Sequence, residues 1–161
     1  GERRDVATVA EFLSRNGEER GESGERETER LPFAIVGYSF GSAVGAGIAE
    51  ELRPLGCVGI AAVSYPVGWT SAVLFHDHYR AAAESTLPKL FLSGDADNFT
   101  WISTLRAWVA AAKGEKELLV CEGMDHFWFG RERWLVVRIL PWLGRLAART
   151  RPLPCDEDAI H

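Results

Sequence analysis

Three short stretches of the chain carry side chains that together could cleave an acyl bond. Gly37-Tyr38-Ser39-Phe40-Gly41 sets a serine between two glycines, Gly94-Asp95-Ala96-Asp97-Asn98 offers two carboxylates, and Glu122-Gly123-Met124-Asp125-His126-Phe127 contains a histidine. A serine hydroxyl is a poor nucleophile at neutral pH, so it needs a base, and histidine suits because its unperturbed pKa lies near ~6.5. The imidazolium that forms then needs a carboxylate to orient and stabilise it. Ser39 as nucleophile, His126 as general base and an aspartate of the 94–98 turn would form and resolve an acyl-enzyme with water as the only co-reactant. No cofactor is implied.

Such chemistry works only if backbone elements bring the three together. Leu31 to Val36 is a short apolar run of strand formers, and Ser42 to Leu52 can continue as a helix, which puts Ser39 on a strand-to-helix corner. A side chain projects from so sharp a turn only if its neighbours crowd nothing, so both flanking glycines, Gly37 and Gly41, are expected to be required. The following helix would aim its first N–H groups, notably that of Phe40, at an oxyanion forming nearby. Further apolar runs at Gly56 to Ser64, Pro88 to Ser93 and Glu117 to Cys121 read as strands. Ser39, Asp97 and His126 each follow a predicted strand, and in a parallel sheet that places them on one edge.

Between the strands the spacing predicts helices. Asp5 to Arg15 is amphipathic, with Asp5 as N-cap and Val6, Val9, Ala10 and Leu13 facing a sheet. Trp101 to Lys113 carries Ile102, Leu105, Trp108 and Val109 on one stripe and stops at Gly114. Gly130 to Arg149 turns Trp134, Val137, Leu140, Leu143 and Leu146 inward and is kinked by Pro141. Small residues from Gly41 to Ala49 would let their helix approach a neighbour closely. The fold class is therefore α/β: a predominantly parallel sheet of about four strands, covered by helices on both faces. One domain spans residues 1–149, with 16–30 a flexible charged loop of Gly, Ser, Thr, Glu and Arg, and residues 150–161 form a tail.

Composition narrows the partners. A net charge of -5 argues against a nucleic-acid or anionic-membrane surface. No run approaches ~18 apolar residues, so no membrane span is expected; the first residues carry no signal-peptide core, and targeting information upstream of Gly1 would not be visible. Cys57, Cys121 and Cys155 are widely spaced and form no metal or redox motif, which favours a reducing, cytoplasmic setting. His76, Asp77 and His78 lack further ligands at metal spacing and read as surface polar residues in an aromatic-rich loop, Tyr65 to Arg80. A phosphate-cradling reading of Gly37 to Gly47 fails because no Gly-Lys-Ser/Thr ending follows. The aromatics Trp69, Phe75, Phe99, Trp101 and Trp128 point to a small-molecule substrate with an apolar acyl or alcohol group.

GYSFGSAVG, LFLSGDAD after a strand, and GMDHFWFGR before a terminal helix together resemble the α/β-hydrolase superfamily, in particular a small lidless subgroup with a GxDHFF-type histidine loop. The likeness runs from the first residues to about Leu146. It implies Ser39 as nucleophile, Phe40 as one oxyanion-hole donor, Asp97 as the acid and His126 as the base. Asp95 remains the rival acid, and Asp125 is a loop-shaping neighbour. The resemblance also implies upstream strands that supply a second oxyanion-hole N–H, and none is legible here. Because the sequence begins at Gly1 and Met124 is its only methionine, we expect a processed chain or the C-terminal half of a longer product. The expected consequences are an exposed apolar edge at Leu31 to Val36 and a need for either a partner chain or an upstream N-terminal half. Loss of one oxyanion donor would cost ~10² to 10³ in turnover.

Overall fold

The computed structural model describes residues 1–16, 31–68 and 76–150. Of the predicted charged loop and tail, Asn16 and Thr150 instead end helices, while residues 17–30 and 151–161, Trp69 and Phe75 lie outside the described residues. Elements follow in the order α1 (Glu2–Asn16), β1 (Phe33–Tyr38), α2 (Phe40–Ile48), a 3-10 turn (Arg53–Leu55), β2 (Cys57–Val63), α3 (His76–Glu84), β3 (Lys89–Gly94), α4 (Ile102–Ala111), β4 (Lys116–Cys121) and α5 (Glu132–Thr150). Four strands pair in parallel in the order β1-β2-β3-β4.

That order has a geometric consequence. Right-handed crossovers between strands that advance in one direction put every connecting helix on the same face. Side chains of α1, α2, α3 and α4 accordingly share one core with Ile60, Ala62 and Phe91 of the sheet. Among the described residues helix α5 alone covers the other face, where Trp142 and Leu146 pack on Ala61, Val63, Leu90 and Leu92. The predicted two-faced cover is present but unequal. Helix α5 lies over β2 and β3, and it leaves Val36 and Tyr38 of the edge strand β1 about half exposed. Among the described residues β1 is an edge strand, paired with β2 alone.

Several local readings need correction. Helix α1 starts at Glu2, so Asp5 lies in its first turn rather than at the N-cap. It packs against α2 and the 3-10 turn, not on the sheet, through Val6, Ala7 and Ala10, while Val9 and Leu13 stay exposed. Helix α2 begins at Phe40 and ends at Ile48, before a turn. His76, Asp77 and His78 open helix α3 instead of belonging to a loop. On α5 the predicted Trp134, Leu143 and Leu146 do face the core, joined by Leu135, Ile139 and Trp142, whereas Val137 and Leu140 face outward. The reason lies in β2: Gly59 leaves a space that Trp142 and Leu146 fill, a Cβ there falling 2.6 Å from Leu146 Cδ1.

The small residues of α2 behave as expected. A Cβ on Gly45 would lie 2.7 Å from Ile35 Cγ2, and one on Gly47 would lie 2.6 Å from His78 Nδ1. Both close approaches pull α2 onto β1 and α3, which fixes the direction in which the helix leaves Ser39. Cys57 and Cys121 are buried and unpaired. No described helix is long and apolar enough to cross a membrane.

Candidate active site

Ser39 sits at the corner between β1 and α2 with φ 50 and ψ -125, a backbone conformation rare for a residue with a Cβ. Strain of this kind costs ~1–3 kcal/mol and persists only where the surroundings hold it. Here the Ser39 N–H donates to Val63 O at 2.8 Å, continuing the β1–β2 ladder one residue past the strand. The Ser39 carbonyl accepts from Ser42 N at 3.0 Å and from Ser42 Oγ at 2.6 Å. The two flanking glycines are not equivalent. A Cβ on Gly37 would meet Ser42 Cα at 2.5 Å and Gly41 O at 2.7 Å, whereas one on Gly41 meets nothing within 4 Å. The expectation that both are required holds for Gly37 only.

The structure brings Ser39 and His126 together: Ser39 Oγ and His126 Nε2 are 2.8 Å apart. His126 Nδ1 is 2.9 Å from Asp97 Oδ2. With Nδ1–H donating to the carboxylate, Nε2 is left to accept the serine proton. Asp97 is locked in turn, because its Oδ1 accepts from Phe99 N at 2.8 Å and from Thr100 N at 3.2 Å. Its side chain is fully buried and that of His126 nearly so, which strengthens their electrostatic coupling. Phe40 is the first residue of α2, where helical N–H groups point away from the helix.

Asp95 turns elsewhere. It is exposed, and its Oδ1 accepts from Gly123 N at 2.7 Å, which clips the β3 turn to the histidine loop. Asp125 accepts from Phe127 N at 2.9 Å and shapes that loop. The loop approaches β3 so closely that a Cβ on Gly94 would lie 1.9 Å from Met124 O. Ala96 N donates to the same carbonyl at 3.1 Å.

The aromatic readings divide. Phe99 is exposed beside the site, its ring centroid 4.5 Å from that of His126, and Trp101 is exposed at the start of α4. Trp128 is largely buried, and its remaining surface lines an apolar groove beside the site. Phe127 and Phe129, which the sequence reading did not single out, are exposed, and Phe127 packs edge-on against His126 at 5.6 Å. A shallow apolar groove of about 280 Å³ runs along Val36, Tyr38, Val63, Phe127 and Leu135, on the face that α5 leaves uncovered.

No family model and no curated protein matches the chain. Solved structures do. An alpha-beta serine hydrolase homologue from Coxiella burnetii is 19% identical with a TM-score of 0.63, over 92% of this chain and 58% of that one. A monoacylglycerol lipase from Paleococcus ferrophilus is 18% identical with a TM-score of 0.64, over 89% of this chain and 74% of that one. A lidless a/b serine hydrolase from Xanthomonas campestris is 17% identical with a TM-score of 0.62, over 94% of this chain and 57% of that one. The chain thus spans little more than half the length of the first and third of these proteins. At such identities the likeness establishes the fold.

Proposed function

We propose that this chain, whose strands and helices form part of an α/β-hydrolase fold, is a serine hydrolase acting on a carboxylic ester or a related acyl substrate. The observation that carries the reading is the unbroken relay from Ser39 Oγ through His126 to Asp97, with spacings of 2.8 and 2.9 Å. Ser39 Oγ attacks the substrate carbonyl as His126 Nε2 takes its proton. The tetrahedral oxyanion is met by the Phe40 N–H, and the charged imidazole is held by Asp97. Collapse expels the alcohol, which leaves with the proton from His126. Water then repeats the cycle on the acyl-enzyme and releases the acid. Exposed Phe99 and Phe127, in ring contact with each other and with His126, support a substrate with an apolar group, because contiguous exposed aromatics mark binding surfaces. Buried, unpaired Cys57 and Cys121 support a reducing, cytoplasmic setting.

Covalent labelling with a fluorophosphonate, read by peptide mapping, tests the reading. Labelling at Ser39 that Ser39→Ala and His126→Ala each abolish is the expected result. An unlabelled, folded wild-type protein would refute it.

The open edge of β1 favours a second reading, a partial domain that is inactive until another strand pairs with that edge. A chain that is monomeric in light scattering and hydrolyses an activated ester would exclude that reading.

A further inference from the structure

Resting on the serine-hydrolase reading, a further assignment concerns how the base is held. The loop from Glu122 to Arg131 has few main-chain bonds, and among the described residues no main-chain N–H donates to the His126 carbonyl. Two side-chain hydroxyls face that carbonyl instead. The Tyr38 hydroxyl donates to it at 2.9 Å, and Ser64 Oγ lies 3.4 Å away, a long contact. The Trp128 indole N–H donates to Ser64 Oγ at 2.8 Å, which leaves the Ser64 proton free to point at the carbonyl. Ser64 is fully buried at the end of β2 with φ 49, and Trp128 has φ 62. Ser64 thus reaches the His126 carbonyl, and Trp128 orients Ser64; both are non-glycine residues at positive φ, a strain that structures retain where geometry matters.

We propose that Tyr38 and Ser64 are positioning residues that hold the His126 main chain, so that its imidazole stays in line between Asp97 and Ser39. Tyr38 ends β1 and directly precedes Ser39, so its hydroxyl ties the strand that carries the nucleophile to the loop that carries the base, across 88 positions of sequence. Burial, followed by the charges of Asp97 and Asp125, raises the Tyr38 phenol above its ordinary 10.0, which keeps it a donor through neutral and mildly alkaline pH. The Tyr38 ring lies 5.5 Å from the imidazole, so Tyr38→Phe keeps the packing and removes only the bond.

Two readouts keep this proposal separate from the reading beneath it. One is the rate of fluorophosphonate labelling at Ser39. The other is the exchange rate of the His126 Nδ1 proton by NMR, which requires no turnover and which a role confined to global stability would not change. Wild type, Tyr38→Phe and Ser64→Ala are compared, each checked for folding by circular dichroism. Tyr38→Phe is expected to label about tenfold more slowly and to exchange the Nδ1 proton about tenfold faster, with Ser64→Ala shifting both about threefold. If Tyr38→Phe does not fold, the Ser64→Ala shift decides. Values within twofold of wild type in the folded variants overturn the positioning role. Wild type that does not label, but whose Nδ1 exchange still quickens in Tyr38→Phe, overturns acyl transfer and leaves the positioning role standing.

Discussion

Replacing each glycine of the serine corner by alanine, one at a time, should separate two positions that the sequence motif treats alike. At Gly37 the new Cβ meets backbone on three sides: Ser42 Cα at 2.5 Å, Gly41 O at 2.7 Å and Ser42 N at 2.8 Å. Ordinary contact begins near 3.4 Å, so β1 and α2 must part by roughly 0.9 Å. Ser39 lies between them. Were that movement passed on in full, the 2.8 Å bond to His126 would stretch to roughly 3.7 Å, beyond hydrogen-bond range. A misplacement of ~1 Å at reacting atoms costs ~10² in rate, and forcing an atom into close-packed backbone costs ~1–3 kcal/mol of stability. At Gly41 the Cβ meets nothing within 4 Å, and the residue is helical. Gly41→Ala should therefore keep the labelling rate and gain about 0.5–1 kcal/mol from reduced chain entropy.

The assay is the second-order rate of fluorophosphonate labelling at Ser39, paired with a thermal melt. Gly37→Ala is expected to label about a hundredfold more slowly and to melt several degrees lower, since ~1 kcal/mol shifts a domain of this size by ~2–4 °C. Gly41→Ala should label at the wild-type rate and melt slightly higher. Equal losses at the two positions would refute the reasoning, because they would mean that the corner is crowded on a side where the described residues leave it open.

Asp97→Asn should lower labelling by ~10³ to 10⁴, because the amide can no longer hold the required imidazole tautomer, whereas Asp95→Asn should stay within a few-fold; a larger loss at Asp95 would reverse the assignment. Burial alone would raise the Glu50 carboxyl, but hydrogen bonds from Thr86 and Ser85 and the nearby Arg53 outweigh it and hold its pKa below 4.5. Its stabilisation is thus complete above pH 4.5 and is lost as pH falls through the lower folded value, so the gap between wild type and Glu50→Gln in denaturant melts should close on acidification. Lys89 is buried, and its ammonium donates to the carbonyls of Ser85, Leu87 and Lys113 at 2.5, 3.1 and 2.8 Å. Lys89→Met strands all three acceptors and should destabilise the domain by about 1–3 kcal/mol in urea melts, with labelling of the folded fraction unchanged.

Legibility differed by scale. Apolar runs located all four strands to within about two residues; for β2 and β3, buried on both faces, the hydrophobic signature is continuous. The extension of β1 through Gly37 and Tyr38 was not legible, because it depends on pairing with Ala62 and Val63 of β2. On α5 two apolar stripes occur at helical spacing, Val137 with Leu140 and Leu135 with Ile139, Trp142 and Leu146. Periodicity cannot choose between them; the space at Gly59 does. The meeting of Ser39, Asp97 and His126 could be anticipated because each follows a strand of one parallel sheet. Between Asp95 and Asp97 the residues alone leave both open and only the family resemblance favours Asp97; the carboxylate that meets His126 is fixed by the Phe99 and Thr100 N–H groups folding back on it.

The members of the relay rest on unequal supports. Asp97 follows β3, an interior strand buried along its whole length, and its turn is joined to the loop after β2 through Thr100 Oγ1, which donates to Tyr65 O and accepts from Val67 N. Ser39 follows β1, which has one strand neighbour and an uncovered face at Val36 and Tyr38. On the proposed reading, a serine nucleophile after an edge strand cannot draw its rigidity from the sheet on both sides. Beyond the pairing of β1 with β2, the Ser39 N–H bond to Val63 O and the Tyr38 hydroxyl bond to His126 O tie this corner to the interior strand and to the histidine loop. A tyrosine beside the nucleophile, half exposed at the open edge, thus has a physical reason to be there that neither strand propensity nor core packing supplies.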